Sequence, residues 1–224
     1  MDTQFVWKKT SASKFELIDK HILNENDEYE LYNKNDNFSI YNLSKLKIIN
    51  IPTIMNVLRE RYNINDIYTF NGKVLISINP FKSIINLYNN VDNVDIEIPH
   101  IYSVAENAYC NIDRKNQAIL VSGESGSGKT ENTKYILRYL SSNYSYDHSI
   151  SSKIISCNHL IECLGNAKTI KNNNSSRFGK FIKLFFNNNN KIVGANIENY
   201  LLEKSRITSY NNLEKSYHIF YFYN

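Results

Sequence analysis

Short apolar groups alternate with polar residues at the beginning of the chain. Three of these groups, Phe5 to Trp7, Phe15 to Ile18 and Phe38 to Ile40, are separated by Asn, Asp and Glu. Brief apolar runs bounded by turn-forming residues are typical of strands. The pattern predicts a small β module over residues 1–45.

The pattern then changes to helical spacing and back to a compact apolar run. Between residues 51 and 62, apolar positions recur at helical spacing behind Pro52, which predicts a helix that docks on the core. Val74 to Ile78 lies between the turn pair Asn71-Gly72 and Asn79-Pro80. Because proline stops ladder pairing, this run predicts a buried strand that leads into a loop.

A strand–loop–helix unit is predicted in the middle of the chain. After Pro99, apolar positions with a helical period predict a helix of about fifteen residues that covers one face of a sheet. The run Ala118 to Val121 predicts a short strand, a glycine cluster follows it, and residues 135–140 return to helical spacing.

The last part of the chain predicts a helix and a hairpin. Apolar positions from Ile154 to Leu164 indicate a helix that ends at Gly165 as its C′ residue. Residues 178–186 and 191–202 predict two long strands joined through Asn187 to Asn190. The chain stops inside a new apolar run at residues 217–223. Because a domain rarely ends in such a run, we expect the sequence to be truncated.

Composition narrows the class of protein. The 224 residues are 42% hydrophobic, which is enough for a buried core. The net charge of +4 is dispersed, and no apolar stretch reaches transmembrane or secretory-signal character. Cys110, Cys157 and Cys163 lack metal-ligand or redox spacing, which favours reduced thiols in a cytoplasmic protein. We therefore expect neither a nucleic-acid partner nor a membrane span.

The glycine cluster carries the clearest chemistry. Residues 123–130 match the pattern G-x-x-x-x-G-K-[ST], and they read Gly123-Glu124-Ser125-Gly126-Ser127-Gly128-Lys129-Thr130. In such a loop, backbone N–H groups and a helix N-terminus surround a phosphate. Lys129 would reach the β- and γ-phosphates of ATP, and Thr130 would offer a hydroxyl to Mg²⁺. We call residues 123–130 the phosphate loop; kinases, GTPases and mechanical ATPases share this pattern, so it leaves the reaction open.

Two stretches resemble those of myosins. In the phosphate loop a glutamate follows the first glycine, and Glu131 follows the threonine, as in the myosin loop. Residues 166–181, Asn-Ala-Lys-Thr-Ile-Lys-Asn-Asn-Asn-Ser-Ser-Arg-Phe-Gly-Lys-Phe, resemble the myosin switch I loop and the strand after it. Kinesins share Ser-Ser-Arg but not the Phe-Gly-Lys that follows. Further resemblances, in the family's order, are Leu58 to Tyr62, Ile67 to Phe70, Asn79 to Lys82, Pro99 to Tyr102 and Tyr200 to Arg206.

The resemblance implies roles for the matched residues. Ser176 would be the second protein ligand of Mg²⁺ beside Thr130, Ser175 would lie near the attacking water, and Asn172 would contact phosphate. The candidate catalytic residues are thus Lys129, Asn172, Ser175, Ser176 and Arg177. By its residues alone, this stretch also fits a plain polar loop in an Asn-rich chain.

The resemblance also implies a binding surface for the base. Asn79, Pro80, Phe81 and Lys82 match the family's purine-side loop, where an aromatic ring and a proline flank the base, and Tyr88 is a further candidate. We expect Glu131 to help hold the phosphate loop rather than to take part in the chemistry.

One part of the myosin pattern is missing from this sequence. In myosins the arginine that matches Arg177 pairs with a glutamate of a switch II segment, Asp-x-x-Gly-Phe-Glu, and the 224 residues contain no such segment. The resemblance therefore implies a front portion of a motor domain, with open sheet edges and with Arg177 lacking its partner. We expect the isolated chain to fold poorly and to hydrolyse ATP negligibly.

These observations predict an α/β fold: a P-loop NTPase core with an incomplete mixed sheet flanked by helices over residues 46–224, behind an SH3-like β module over residues 1–45. The resemblance implies the ATP-binding part of a cytoplasmic, cytoskeleton-associated motor that moves along actin filaments, which it would bind mostly through regions outside this chain. The alternatives are a P-loop phosphotransferase or kinesin-like motor, and a non-catalytic nucleotide-binding module.

Overall fold

The computed structural model describes residues 5–32, 40–89, 92 and 94–222. The chain divides into two compact units. One unit lies within residues 1–85 and 97–100, and the other lies within residues 86–96 and 101–224. The predicted boundary at residue 45 remains a prediction.

The first unit begins with a three-stranded antiparallel sheet. Strand β1 (Phe5–Ser11) lies between β2 (Lys14–Asp19) and β3 (Tyr29–Leu31). Val6 is fully buried, and the ring of Trp7 packs edge-on against Tyr32. The short strands predicted from the first two apolar groups are confirmed. Residues 38 and 39 of the third group lie outside the described residues, and an SH3-like topology stays a prediction.

A helix and a small apolar cluster follow in the same unit. Helix α1 (Ile51–Asn63) begins where the side chain of Asn50 accepts a hydrogen bond from Thr53 N, as an N-cap residue does. Its buried Val57 packs with Leu43 and Leu46. This helix was predicted from the apolar spacing, and the structure confirms it.

The predicted strand at Val74 to Ile78 forms, but it is not buried. Strand β4 (Tyr68–Asn71) and β5 (Val74–Ser77) make an antiparallel hairpin with Gly72 in its turn. Val74 is 63% exposed and the rest of β5 is half-buried. Within the described part of the chain β5 pairs only with β4, so it stays partly open to solvent.

The helices of the second unit pack through tyrosines. Helix α2 (Ile101–Cys110) packs against α3 (Lys129–Tyr144), with the rings of Tyr102 and Tyr139 stacked at 4.8 Å between centroids. The carboxylate of Glu106 accepts hydrogen bonds from the hydroxyls of Tyr139 and Tyr144. Burial, together with this hydrogen bond, raises the pKa of Tyr139 to about 12. Helix α4 (His148–Gly165) follows α3.

Helix α2 is shorter than predicted. It ends at Cys110, and the side chain of Asn111 donates a hydrogen bond to Asn107 O at 2.7 Å. Asparagine side chains compete with the backbone for such carbonyls, which favours a turn over a further helical turn. The apolar period continues to Ile112, so it overestimates the length of the helix.

The remaining strands form two antiparallel pairs. Strand β6 (Asn166–Ala167) pairs with β7 (Ser175–Ser176), and β8 (Gly179–Phe186) pairs with β9 (Ile192–Tyr200). The second pair is the predicted hairpin. Within the turn of this hairpin, the side chain of Asn187 accepts hydrogen bonds from the backbone N–H groups of Asn189 and Lys191.

The predicted strand before the phosphate loop is wrong for this structure. Residues 118–121 form no β pairing with any described residue, and Leu120 is 91% exposed. A strand needs a neighbour to bond its N–H and C=O groups, which an apolar run cannot supply by itself. The α/β class is confirmed, whereas a single mixed P-loop sheet remains a prediction, because the described strands form four small sheets.

The expected role of Gly165 is also wrong. This glycine is the last residue of α4, and Asn166 is the capping residue. A Cβ atom at Gly165 would lie 2.3 Å from Cε1 of Phe178, which is far closer than van der Waals contact. Gly165 therefore makes room for an aromatic ring. No helix in the described ranges is long and apolar enough to cross a bilayer.

Candidate nucleotide site

The phosphate loop lies between residues 118–122, which form no helix or strand, and the first turn of α3. Its glycines adopt positive φ, and Gly128 holds the N-cap position of α3 at φ +93°. At Gly123, φ is +153° and a Cβ atom would lie 2.6 Å from the Ser127 hydroxyl. Both positions require glycine, so the backbone turns as a phosphate cradle does and leads directly into a helix N-terminus.

The ammonium of Lys129 lies across this loop. Its Nζ donates hydrogen bonds to Gly123 O and Glu124 O, each at 2.6 Å. The long side chain thus folds back over the loop that precedes it. A lysine in this place can turn its charge toward an anion that the loop holds.

Residues 166–177, which we call the switch-like loop, lie beside the phosphate loop. The hydroxyl oxygen of Ser175 is 3.3 Å from that of Ser125, and the hydroxyl oxygen of Ser176 is 3.4 Å from that of Thr130. The two serines predicted to act together with the phosphate loop are therefore brought to it, although they belong to a different element.

Local hydrogen bonds shape the switch-like loop. Thr169 and Asn172 close a turn, in which Thr169 N donates to Asn172 O at 2.8 Å and the Thr169 hydroxyl accepts from Asn172 N. The side-chain oxygen of Asn172 accepts from Asn174 N at 3.0 Å. In this structure Asn172 orders the loop, and its predicted contact with phosphate stays a prediction.

Arg177 has a carboxylate partner within this chain, although the sequence contains no switch II segment to supply the glutamate of the family pattern. Its Nε donates to Glu203 Oε2 at 2.6 Å, and its Nη1 donates to the Ser175 hydroxyl at 3.2 Å. Glu203 Oε2 also accepts a hydrogen bond from Nε of the buried Arg206 at 2.7 Å. Hydrogen bonds from Arg206 and then from Arg177 outweigh burial and hold the pKa of Glu203 below its usual value. Glu203 thus supplies the carboxylate that the sequence did not identify.

Glu131 forms an ion pair beside the loop. Its carboxylate lies 2.9 Å from Nζ of Lys134, which also lies 3.1 Å from Glu162 on α4. Burial disfavours the charge on Lys134, but hydrogen bonds to the two carboxylates raise its pKa. The ion pairs of Lys134 connect the first turn of α3 to α4, and the predicted role of Glu131 in holding the phosphate loop stays a prediction.

The predicted base-binding loop is a feature of the first unit. The side chain of Asn79 accepts a hydrogen bond from Phe81 N, and the hydroxyl of Tyr62 donates to Pro80 O. Phe81 has φ +50° and its side chain is 84% exposed. A positive φ is rare for an aromatic residue and is held here by its neighbours. Lys82 donates to Asn65 Oδ1 at 2.7 Å.

Tyr88 belongs to the second unit. Its ring stacks on Tyr135 of α3 with 3.6 Å between centroids. One face of the ring is therefore covered by protein. Its predicted part in binding the base stays a prediction.

The site shows no metal cage made of protein ligands alone. The described residues contain no cluster of three or more His, Cys, Asp or Glu side chains that could hold a metal ion. The hydroxyls of Thr130 and Ser176 are the candidate cation ligands, and they suit Mg²⁺, which commonly takes few protein ligands together with phosphate oxygens. The three cysteines are free thiols, as predicted.

Sequence reasoning matched Tyr200 to Arg206 to the family but assigned no role to residues 203–218, which we call the strap. Lys215 N donates to Lys168 O at 3.1 Å, and Tyr217 forms an antiparallel bridge with Ala167. The strap therefore runs along the switch-like loop. The signal available in the sequence was the group of charged residues in this segment, namely Glu203, Lys204, Arg206, Glu214 and Lys215.

Comparison with known proteins gives one consistent family. The model of the family "Myosin head (motor domain)" matches residues 40–223. The chain is 44% identical over 194 residues to Myosin-51 of Schizosaccharomyces pombe and 45% identical over 212 residues to Myosin-1 of Saccharomyces cerevisiae. It is 41% identical over 185 residues to human Unconventional myosin-VI.

These matches cover most of this chain but little of each relative. The match to Myosin-51 includes 80% of the chain and 13% of the relative, and the match to Myosin-1 includes 80% and 11%. The match to human Unconventional myosin-VI includes 79% of the chain and 14% of the relative. The family match decides against the kinesin-like alternative, because it spans both the phosphate loop and the switch-like loop.

Proposed function

Because this chain belongs to the myosin head (motor domain) family, we propose that it forms the ATP-binding front portion of an actin-based motor. In that motor, hydrolysis of Mg-ATP would drive movement along actin filaments. The proposal places the protein in the cytoplasm with the cytoskeleton. Its relatives are named as myosins, and the ATP and actin partners are carried over from the family.

The observation that carries the proposal is the contact between two loops distant in sequence. Ser175 and Ser176 lie at 3.3 Å and 3.4 Å from hydroxyls of the phosphate loop. A glycine-rich turn alone would explain the positive φ values, but it would not require a second loop at its mouth. Two loops in hydroxyl contact fit a site that senses whether a terminal phosphate is present.

Each residue then has a definite task. The backbone N–H groups of the phosphate loop would hold the phosphates, and Lys129 would leave the carbonyls of Gly123 and Glu124 to contact the β- and γ-phosphates. Thr130 and Ser176 would hold Mg²⁺, since neighbouring ligands of this ion at about 2.1 Å lie roughly 3 Å apart. Bound Mg²⁺ would offset charge on the phosphate oxygens. Ser175 would position water, Asn172 would contact phosphate, and Arg177 would fix Ser175.

We further propose that Asn79, Pro80, Phe81 and Lys82 bind the purine. The exposed ring of Phe81 and the neighbouring Pro80 offer apolar surface for a base. Opening and closing of the switch-like loop would report loss of the γ-phosphate to the actin site.

Nucleotide binding is tested on the purified chain with Lys129→Ala. We expect a fluorescent ATP analogue to bind in the presence of Mg²⁺ and the variant to lose at least about tenfold in affinity, because a charge-assisted contact to phosphate is removed. Lys153→Ala is the matched control, since Lys153 lies on the exposed side of α4. Equal affinity of Lys129→Ala and Lys153→Ala would contradict the proposed site.

The motor function is tested by a chimera. Residues 40–223 replace the matching residues of Schizosaccharomyces pombe Myosin-51, and actin-activated phosphate release is measured. We expect activation by actin that Lys129→Ala abolishes. A chimera that folds and binds nucleotide, but whose ATPase does not respond to actin, would argue against a motor.

A further inference from the structure

A buried arginine in the strap connects two carboxylates. Arg206 is 4% exposed, and its Nε and Nη2 lie 2.7 Å and 3.3 Å from the two oxygens of Glu203. Its Nη1 lies 3.0 Å from Glu214 Oε2 and donates to Lys215 O. A buried guanidinium is tolerated only with such pairing, so the geometry of this cluster is tightly fixed.

One carboxylate of the cluster reaches the C-terminal end of the switch-like loop. Glu203 Oε2 accepts from Arg177 Nε at 2.6 Å, and Glu203 N donates to Arg177 O at 3.0 Å. Arg177 in turn donates to Ser175, whose hydroxyl lies 3.3 Å from Ser125 of the phosphate loop. A continuous series of polar contacts therefore runs from Arg206 to the phosphate loop.

The other carboxylate reaches the middle of the switch-like loop. Glu214 Oε1 accepts from Ile170 N at 3.4 Å, beside the hydrogen bond from Lys215 N to Lys168 O. The hydroxyl of Tyr217 donates to Glu203 O at 2.7 Å and ties the two parts of the strap together. Arg206 thus pairs with both carboxylates that contact the switch-like loop, Glu203 and Glu214.

We propose that the cluster of Glu203, Arg206 and Glu214 positions the switch-like loop, and that it thereby sets the preference of the site for a nucleoside triphosphate over a diphosphate. This inference rests on the proposed nucleotide site. The terminal phosphate is the part of the ligand that distinguishes the two nucleotides. A loosened switch-like loop loses contacts to that phosphate, while the phosphate loop keeps its hold on the other two.

The test uses Glu203→Gln and Glu214→Gln in the full chain. Glutamine keeps the shape of the side chain but removes its charge, and circular dichroism verifies the fold. The matched control is Glu198→Gln, because Glu198 pairs with Lys183 at the same 2.6 Å distance on the exposed β8–β9 hairpin. Arg206 itself is not substituted, because its removal would leave two carboxylates without their shared cationic partner.

Two readouts separate this inference from the proposed function. Amide hydrogen exchange over residues 168–177 needs no nucleotide, and we expect it to rise about tenfold in both test variants and to stay unchanged in the control. With Mg²⁺ and fluorescent nucleotides, we expect about tenfold weaker binding of a non-hydrolysable ATP analogue and less than about twofold change for ADP.

The outcomes of the two measurements differ for each possibility. Exchange and affinities equal to those of Glu198→Gln would overturn the inference, and so would equal weakening of both nucleotides, which marks a general structural effect. Faster exchange in a chain that binds neither nucleotide would support positioning of the loop and contradict the nucleotide site. A double variant of Glu203→Gln with Arg177→Lys should show less than the sum of the single effects, because both act on Ser175.

Discussion

The hydroxyl of Thr130 in the first turn of α3 lies 3.4 Å from the hydroxyl of Ser176 on β7, although 46 positions separate the two residues. Neither side chain has a carboxylate, so the pair by itself holds a cation weakly. Placed at the mouth of a phosphate loop, the same pair completes a cation site when the ligand brings phosphate oxygens. Metal and nucleotide are therefore expected to bind together.

The first prediction concerns this dependence on Mg²⁺. We expect Thr130→Ala and Ser176→Ala each to lower nucleotide affinity by about tenfold in the presence of Mg²⁺ and to have little effect in EDTA, because each removes one ligand of the ion. Titration of a fluorescent nucleotide with and without Mg²⁺ measures the effect. Thr130→Ser should retain binding, since it keeps the hydroxyl.

Ser156→Ala serves as the control for the serine variant, because Ser156 is exposed on α4. Losses of the same size with and without Mg²⁺ would mean that the two hydroxyls shape the loop rather than bind the ion.

The second prediction concerns packing at Gly165. A Cβ atom there would lie 2.3 Å from the ring of Phe178, so Gly165→Ala forces the ring or the end of α4 to move. We expect a loss of about 1–3 kcal/mol in the free energy of unfolding, measured by urea denaturation. The matched control is Gly194→Ala, where the nearest atom to a Cβ would be 3.9 Å away. Equal stability of the two variants would contradict the close contact with Phe178.

The elements of the fold that could be predicted are those determined by the pattern of residues within the element itself. Helices α1 and α3 and the β8–β9 hairpin follow from apolar spacing and turn residues that lie within each element. The run at 118–121 was wrongly predicted as a strand because strand formation depends on a partner, which the run itself does not encode. The role of Gly165 was wrongly predicted for a similar reason, since the ring that requires it is distant in sequence.

The residues of the candidate site also fall into those that the sequence pattern identified and those that it did not. The phosphate loop was visible because its residues are contiguous, and the structure brings Ser175 and Ser176 to it. Glu203 was overlooked as the partner of Arg177 because 26 positions separate them. The charges around Glu203 mark the segment as unusual, but they do not indicate which distant residue Glu203 contacts. Long-range ion pairs are therefore the part of this site that residue patterns did not identify.

The third prediction concerns pH. Hydrogen bonds from Arg206 and Arg177 lower the pKa of Glu203 in the folded chain below its unfolded value of about 4.3. A lowered pKa stabilises the fold above the unfolded pKa, and this contribution is lost as pH falls through the folded pKa. The free energy of unfolding of the parent chain should therefore exceed that of Glu203→Gln by a constant amount above about pH 5, and the difference should shrink below about pH 4.

Urea denaturation of both chains between about pH 3 and pH 7 measures this difference. Glu198→Gln is the control variant, because it removes a carboxylate that pairs with Lys183 at 2.6 Å on the exposed hairpin. A difference between the parent and Glu203→Gln that does not change with pH would mean that the charge on Glu203 contributes nothing to stability.

The last prediction concerns turnover by the 224-residue chain itself. The sequence contains no Asp-x-x-Gly-Phe-Glu segment, and in the structure the guanidinium of Arg177 is held by Glu203. Binding of Mg-ATP needs the phosphate loop and its cation ligands, whereas hydrolysis also needs a water fixed against the terminal phosphate. We therefore expect the purified chain to bind Mg-ATP but to release phosphate far more slowly than the roughly 10 s⁻¹ of a typical enzyme. A phosphate-release assay beside Lys129→Ala measures any turnover that belongs to this site. Rapid release that the substitution abolishes would mean that these 224 residues already position the water.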